Sequence, residues 1–242
     1  MKSKIPKLIF AALISLTLSS HGAALFTEDF SLNTTGPNMT AGTAFGSATT
    51  TTTGNFTITS GENSRIYLGT NDVDYSSIDF TFRADVTAPN YLNDWSIIFL
   101  GMGSSTPVIG SYGEPLTGSN LMMALRGGDQ TFGARNNGVL SPNAPGALGL
   151  TATTHGIKMD WNAVSQSATF GYDAENDGDY TGPNDKTYSL TGSGFTSTNS
   201  QLFLGGGNGL IFDNISVTSV PEPSAAILGA LGVLCLARRR RP

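Results

Sequence analysis

Between Ile78 and Val86 the apolar and polar positions alternate: Ile78, Phe80, Phe82, Ala84 and Val86 are apolar, and Asp79, Thr81, Arg83 and Asp85 are polar. Successive side chains of a strand point to opposite faces, so this period of two predicts a strand with one buried face. Trp95 to Gly101 is instead a nearly unbroken apolar run, which predicts a central strand covered on both sides. Shorter β-patterned stretches recur at 56–58, 65–68, 121–126, 156–162, 168–173, 187–190, 201–204 and 210–217, with clusters of Gly, Asn, Asp and Pro between them. Gly205-Gly206-Gly207-Asn208-Gly209 falls between two of these stretches and reads as a turn. No long helical periodicity competes with this pattern. About ten short strands at such spacing predict an all-β fold, an antiparallel β-sandwich.

The two ends of the chain follow different rules. Lys2, Lys4 and Lys7 precede an apolar stretch of eleven residues, Leu8 to Leu18, and the small residues Gly22, Ala23 and Ala24 come next. This is the order of a secretory signal peptide, here residues 1–24. At the other end Val220-Pro221-Glu222-Pro223-Ser224 leads into an apolar run of thirteen residues, Ala225 to Ala237, and then into Arg238, Arg239, Arg240 and Arg241. The prolines keep their segment extended, because each fixes φ and removes a backbone donor. The run predicts a short hydrophobic helix, below the roughly 20 residues that cross a bilayer stably. Arginines resist translocation and stay on the cytoplasmic side. These elements in this order resemble the PEP-CTERM sorting signal of bacterial surface and secreted proteins. The resemblance implies an exosortase that cuts near Pro221, Glu222 and Pro223, with Arg238 to Arg241 as the membrane stop. A plain C-terminal anchor is the alternative. The expected organisation is signal peptide 1–24, sandwich domain 25–219 and sorting signal 220–242.

Trimming both ends changes the charge. Of 13 Lys and Arg residues three lie before Leu25 and four in the terminal arginine run, which leaves six. Of 18 Asp and Glu residues only Glu222 lies in the tail, which leaves 17 and a net charge near −11. Such a surface repels nucleic acid and anionic lipid and attracts cations. Cys235 is the one cysteine and lies in the tail, so the domain has no disulfide, thiolate metal site or cysteine nucleophile. His155 is its one histidine once His21 leaves with the signal peptide, which excludes a multi-histidine zinc site.

Four features along the domain appear together. Glu28-Asp29-Phe30 opens it, and the Trp95–Gly103 run ends in Gly-Met-Gly. Gly156-Ile157-Lys158-Met159-Asp160-Trp161 precedes an acidic hairpin, and Ile211-Phe212-Asp213-Asn214-Ile215-Ser216-Val217 closes the domain. This order resembles the concanavalin A-like, or laminin G-like, jelly rolls. The resemblance implies first and last strands lying side by side and a structural calcium in that neighbourhood, for which Glu28, Asp29 and Asp213 are the matching residues. Ordinary edge polarity with an Asx turn at Asp213-Asn214 is the alternative.

The sharpest chemical feature is Asp173-Ala174-Glu175-Asn176-Asp177-Gly178-Asp179. Its acids recur at every second residue with no basic residue among them. A hard cation takes several oxygens at about 2.3–2.6 Å, so shared binding requires the chain to turn near Asn176–Gly178. The pattern resembles the first half of a DxDxDG calcium loop. It departs from the EF-hand, because Asn184 stands where the closing Glu would be and Asp185 comes one residue late. Asp173, Glu175, Asp177, Asp179 and Asp185 are therefore candidate calcium ligands, with a solvated hairpin tip as the alternative.

Catalysis finds little support. The glutamates Glu28, Glu62, Glu114 and Glu175 do not form the E-x-D-x-x-E spacing of laminarinase-type glycosidases, whose chemistry needs two flanking carboxyls. No G-x-S-x-G elbow accompanies His155, which reads as a loop or strand-start residue. Sugar binding would use an exposed aromatic beside polar groups, and Tyr91, Trp95, Tyr112 and Tyr180 lie near loops, as does the polar stretch Asn136-Asn137-Gly138. Trp95 and Trp161 read equally as core residues. The expected role is a secreted, non-enzymatic sandwich of the cell surface or extracellular polysaccharide matrix. A lectin-like carbohydrate-binding module comes second, and a glycoside hydrolase third.

Overall fold

The computed structural model describes residues 23–30, 39–46, 49–59, 64–71, 74–89, 97–103, 108–109, 115–117, 121–128, 130–137, 139–141, 146–148, 150–191, 195, 200–207 and 209–220. The signal peptide up to Gly22, the aromatics Tyr91, Trp95 and Tyr112, the tail residues Pro221, Glu222 and Pro223, the short C-terminal helix and Arg238 to Arg241 lie outside the described residues. Eighteen strands are described. They are β1 (Ala24–Glu28), β2 (Met39–Phe45), β3 (Thr49–Thr52), β4 (Phe56–Thr59), β5 (Arg65–Thr70), β6 (Phe80–Thr87), β7 (Ile97–Gly103), β8 (Val108–Ile109) and β9 (Pro115–Thr117). They continue as β10 (Leu121–Arg126), β11 (Thr131–Asn136), β12 (Val139–Leu140), β13 (Gly146–Ala147), β14 (Thr154–Asn162), β15 (Ser167–Asp173), β16 (Lys186–Thr191), β17 (Gln201–Gly206) and β18 (Ile211–Ser219).

Two antiparallel eight-stranded sheets form a sandwich. The first has the order β16-β15-β14-β6-β18-β4-β3, with β1 also on β18; the second has β12-β11-β10-β7-β17-β5-β2, with β13 also on β11. The alternation that predicted β6 is realised: Phe80, Phe82, Ala84 and Val86 have no or almost no exposed surface, and the residues between them are half-buried. They face Ile98, Leu100, Met102, Met123, Leu125, Leu202 and Leu204 from the second sheet in one core. Two sheets with alternating inner faces bury their apolar side chains by this interdigitation.

β7 is buried along its whole length, between β10 and β17. Its even residues enter the main core, and Ile97 and Phe99 join Tyr67, Met122, Ala124, Phe203 and Ala44 in a second apolar cluster on the other face of the sheet. This is the doubly covered strand that the apolar run predicts, starting at Ile97.

One expectation is corrected. Gly205 and Gly206 are not turn residues but the end of β17, opposite Tyr67 and Ile66 on one side and Phe99 and Ile98 on the other. A Cβ on Gly205 would come within 2.1 Å of the Ile66 carbonyl oxygen and 2.7 Å of the Tyr67 Cα. The glycines there permit close strand approach rather than chain reversal.

Candidate functional site

The acidic hairpin connects β15 to β16 at one edge of the first sheet. The loop turns where its composition allows. Asn176 has φ 55 and Gly178 has φ 87, a left-handed conformation that Asn tolerates and Gly adopts freely. Asp173, the last residue of β15, is fully buried. Its carboxylate folds the loop over itself: Oδ1 accepts the Asp177 amide at 3.3 Å and Oδ2 accepts the Gly178 amide at 2.8 Å. Asp185 closes the other end, with Oδ1 accepting the Ala174 amide at 2.9 Å and Oδ2 the Gly182 amide at 2.7 Å. Glu175 is exposed and accepts from the Asn184 side chain at 2.9 Å.

Carboxylate oxygens of Asp173, Glu175 and Asp185 lie within 4.8 Å of one another, and they are the one such group of three among the described residues. Asp177 and Asp179 are not in it. They make local turns, Asp177 accepting the Asp179 amide at 2.8 Å and Asp179 accepting the Thr181 amide and hydroxyl at 3.0 and 2.8 Å. The Arg83 guanidinium reaches the loop, donating to Asn176 Oδ1 at 3.2 Å while pairing with Asp85 at 3.6 Å. Carboxylate oxygens carry two acceptor positions each, so the bonds already made to backbone amides leave room for a cation. Three carboxylates supply only part of the 6–8 oxygens that calcium takes; loop carbonyls and water would supply the others.

The loop's acids affect the tyrosines beneath them. The Tyr172 phenol is pushed well above its ordinary pKa, first by burial and then by the charges of Glu175, Asp185 and Asp173. Burial does the same to Tyr180, whose ring lies under Lys158 Nζ at 4.3 Å and against Gly171. His155 is buried in β14 beside this loop. Its Nδ1 donates to the Ala174 carbonyl at 2.8 Å, and Nε2 accepts the Thr151 amide at 3.3 Å. With backbone for partners on both nitrogens, it anchors the start of the loop.

The second candidate group is arranged differently. β1 does lie beside β18, with Glu28 opposite Ile215. Glu28 accepts the Phe30 amide at 2.9 Å, and Asp213 accepts the neighbouring Asn214 amide at 2.8 Å where β18 bulges. No described group of three ligand-type side chains includes Glu28, Asp29 or Asp213. Trp161 is a core residue, 2 % exposed, with its ring edge-on to Phe195 at 5.5 Å. Asn136 ends β11 and donates to the Thr191 carbonyl at 2.9 Å.

A feature that sequence reasoning missed is a cleft of about 330 Å³ lined by Asp79, Asp160, Trp161, Asn162, Ser167, Thr169 and Val220. Its carboxylates are held in place. Asp160 pairs with Lys158 at 2.8 Å and accepts the Thr81 hydroxyl at 2.7 Å, and Asp79 accepts the Ala163 amide at 2.7 Å. The polar positions of β14 and β15 hinted at it, but their meeting with Asp79 and Val220 depends on the sheet order.

Comparisons with known proteins fit this architecture. The PEP-CTERM protein-sorting motif matches residues 219–241. No curated protein matches the chain by sequence. Among solved structures, the chain is similar to lectin II from Ulex europaeus, with TM-score 0.57 and 13 % identity over 84 % of this chain and 100 % of that one. Arcelin-5, a lectin-like defense protein from Phaseolus vulgaris, gives 0.58 and 10 % over 81 % and 98 %. The exoplasmic/lumenal domain of VIP36, in its Ca2+/Man3GlcNAc-bound form, gives 0.54 and 10 % over 77 % and 86 %. At these identities the likeness is one of fold: a lectin-like, concanavalin A-type jelly roll.

Proposed function

We propose that this chain is an exported β-sandwich protein of the cell envelope or exopolysaccharide matrix, delivered by exosortase processing of its tail and without enzymatic activity of its own. The observation that carries this reading is the sorting motif at residues 219–241. The enzyme cuts near Pro221, Glu222 and Pro223, the apolar run holds the precursor at the membrane, and Arg238 to Arg241 stop its passage. The reading is tested by replacing Pro221-Glu222-Pro223 with three alanines in the host. Precursor with an intact tail should then accumulate in the membrane fraction. Normal release of tail-cut protein from that variant would refute it.

A second reading concerns what the sandwich binds. The likeness to lectin folds favours a carbohydrate, and a matrix polysaccharide is the ligand class that the expected destination supplies. We place a structural calcium in the β15–β16 loop, held by Asp173, Glu175 and Asp185, with Asp177 and Asp179 shaping the turns around it. Its contribution is neutralisation of mutually repelling carboxylates, which would keep the loop in one conformation. A glycan array on residues 25–220, with calcium and with chelator, tests this reading. Binding to no glycan in either condition would leave the sandwich a non-lectin matrix protein.

A further inference from the structure

Both ends of the domain lie side by side in the first sheet, where β18 runs between β6 and β1. β1 runs antiparallel to β18, with Ala24 opposite Thr218. Past that pair, the Ser219 amide donates to the Ala23 carbonyl at 2.9 Å and the Ser219 hydroxyl to the same oxygen at 3.2 Å. The Val220 amide donates to the Asp79 carbonyl at 2.8 Å. The hydrogen-bonded sheet therefore reaches the residue immediately before Pro221. The matched sorting motif begins at residue 219, the last residue of β18.

No linker separates fold from motif. An extended chain advances at most about 3.6 Å per residue, so Pro223 can stand no more than about 11 Å from Val220, and Ala225 no more than about 18 Å. A peptide-cutting enzyme takes its substrate as an extended segment whose backbone groups are free to bond with the enzyme. Here the backbone on the domain side of the motif is already bonded into the sheet, and the body of the sandwich stands within reach of any enzyme that closes on Pro221. Local opening of strand ends is the low-energy motion that resolves such a conflict.

We propose, building on the sorting reading above, that exosortase processing of this chain requires the end of β18 to unzip from β6 and β1, so that the last rungs of the sheet gate tail removal. Cleavage of the signal peptide after Ala24 would remove the Ala23 carbonyl and leave the Val220 bond to Asp79 as the last tie.

A reversible lock tests the gate. Thr81 and Thr218 face each other across β6 and β18, and both are half-buried. In a full-length Cys235→Ala background, Thr81→Cys with Thr218→Cys places a disulfide two residues before Val220. Tail removal in membranes of the host is followed by intact mass. The cross-linked precursor should be cut at least about tenfold more slowly than the Thr218→Cys single variant, since one or two rungs that cannot open set a factor of that size. Reductant should restore the rate, as should a six-residue Gly-Ser spacer between Val220 and Pro221 in the oxidised protein. Equal rates for cross-linked and single variants would overturn the gate, and so would a spacer that fails to rescue. Unchanged cutting of the triple-alanine variant would instead refute the sorting reading, so the two failures are distinct.

Discussion

Asp173 joins backbone and charge in one buried carboxylate. It bonds the Asp177 and Gly178 amides, and it stands within 4.8 Å of carboxylates from Glu175 and Asp185. Calcium at a hundredfold excess over Kd should stabilise the native state by about 2.7 kcal/mol. For a domain of this size that raises Tm by about 5–10 °C, reckoned at roughly 2–4 °C per kcal/mol. Asp173→Asn with Asp185→Asn should abolish the shift, and a Tm indifferent to calcium and chelator in the wild-type protein would remove the site. Tyr75 makes a separate prediction. Burial pushes its phenol from 10.0 up to about 12. The folded state therefore holds this proton more tightly than the unfolded state. The stabilisation is complete below pH 10.0 and is lost as pH rises through about 12. Thermal melts across that window should show falling Tm, and Tyr75→Phe should flatten the fall. At this scale the sequence exposed the acids and their spacing. It could not show that Asp185 rather than Asp177 or Asp179 completes the group, because that depends on how the loop closes.

Among the elements, legibility followed side-chain contrast. β6 and β7 were readable because alternation and an unbroken apolar run have direct meanings in a sheet. β2 (MTAGTAF) and β3 (TTTT) were not anticipated, since Thr, Gly and Ala give no apolar period and their ladders come from pairing with β5 and β4. The glycine run misled for a related reason: Gly marks turns and also marks close backbone approach. Gly205→Ala tests the close approach. The added methyl group meets the Ile66 carbonyl and the Tyr67 backbone of the neighbouring strand. The substitution should destabilise the domain by about 1–3 kcal/mol through overpacking, seen as a lower urea midpoint. An unchanged midpoint would mean that β5 and β17 are not packed this closely.

For the whole molecule, fold and sorting motif were legible from different signals. The sandwich followed from many short strands, and the sorting motif from a short tail whose composition differs sharply from the domain before it. What the sequence could not show was their junction. Only the sheet order places Ala23, Asp79 and Val220 together and leaves the motif with no spacer. Removal of this tail by an exosortase is tested by the intact mass of the protein released by its host, with and without the exosortase. The wild-type product should begin near Leu25 and end between Val220 and Ser224, and the precursor should keep Arg238 to Arg241 when the enzyme is absent. A released protein that still carries the arginine run, or the same trimmed mass in the host lacking the enzyme, would rule out removal of the tail by that enzyme.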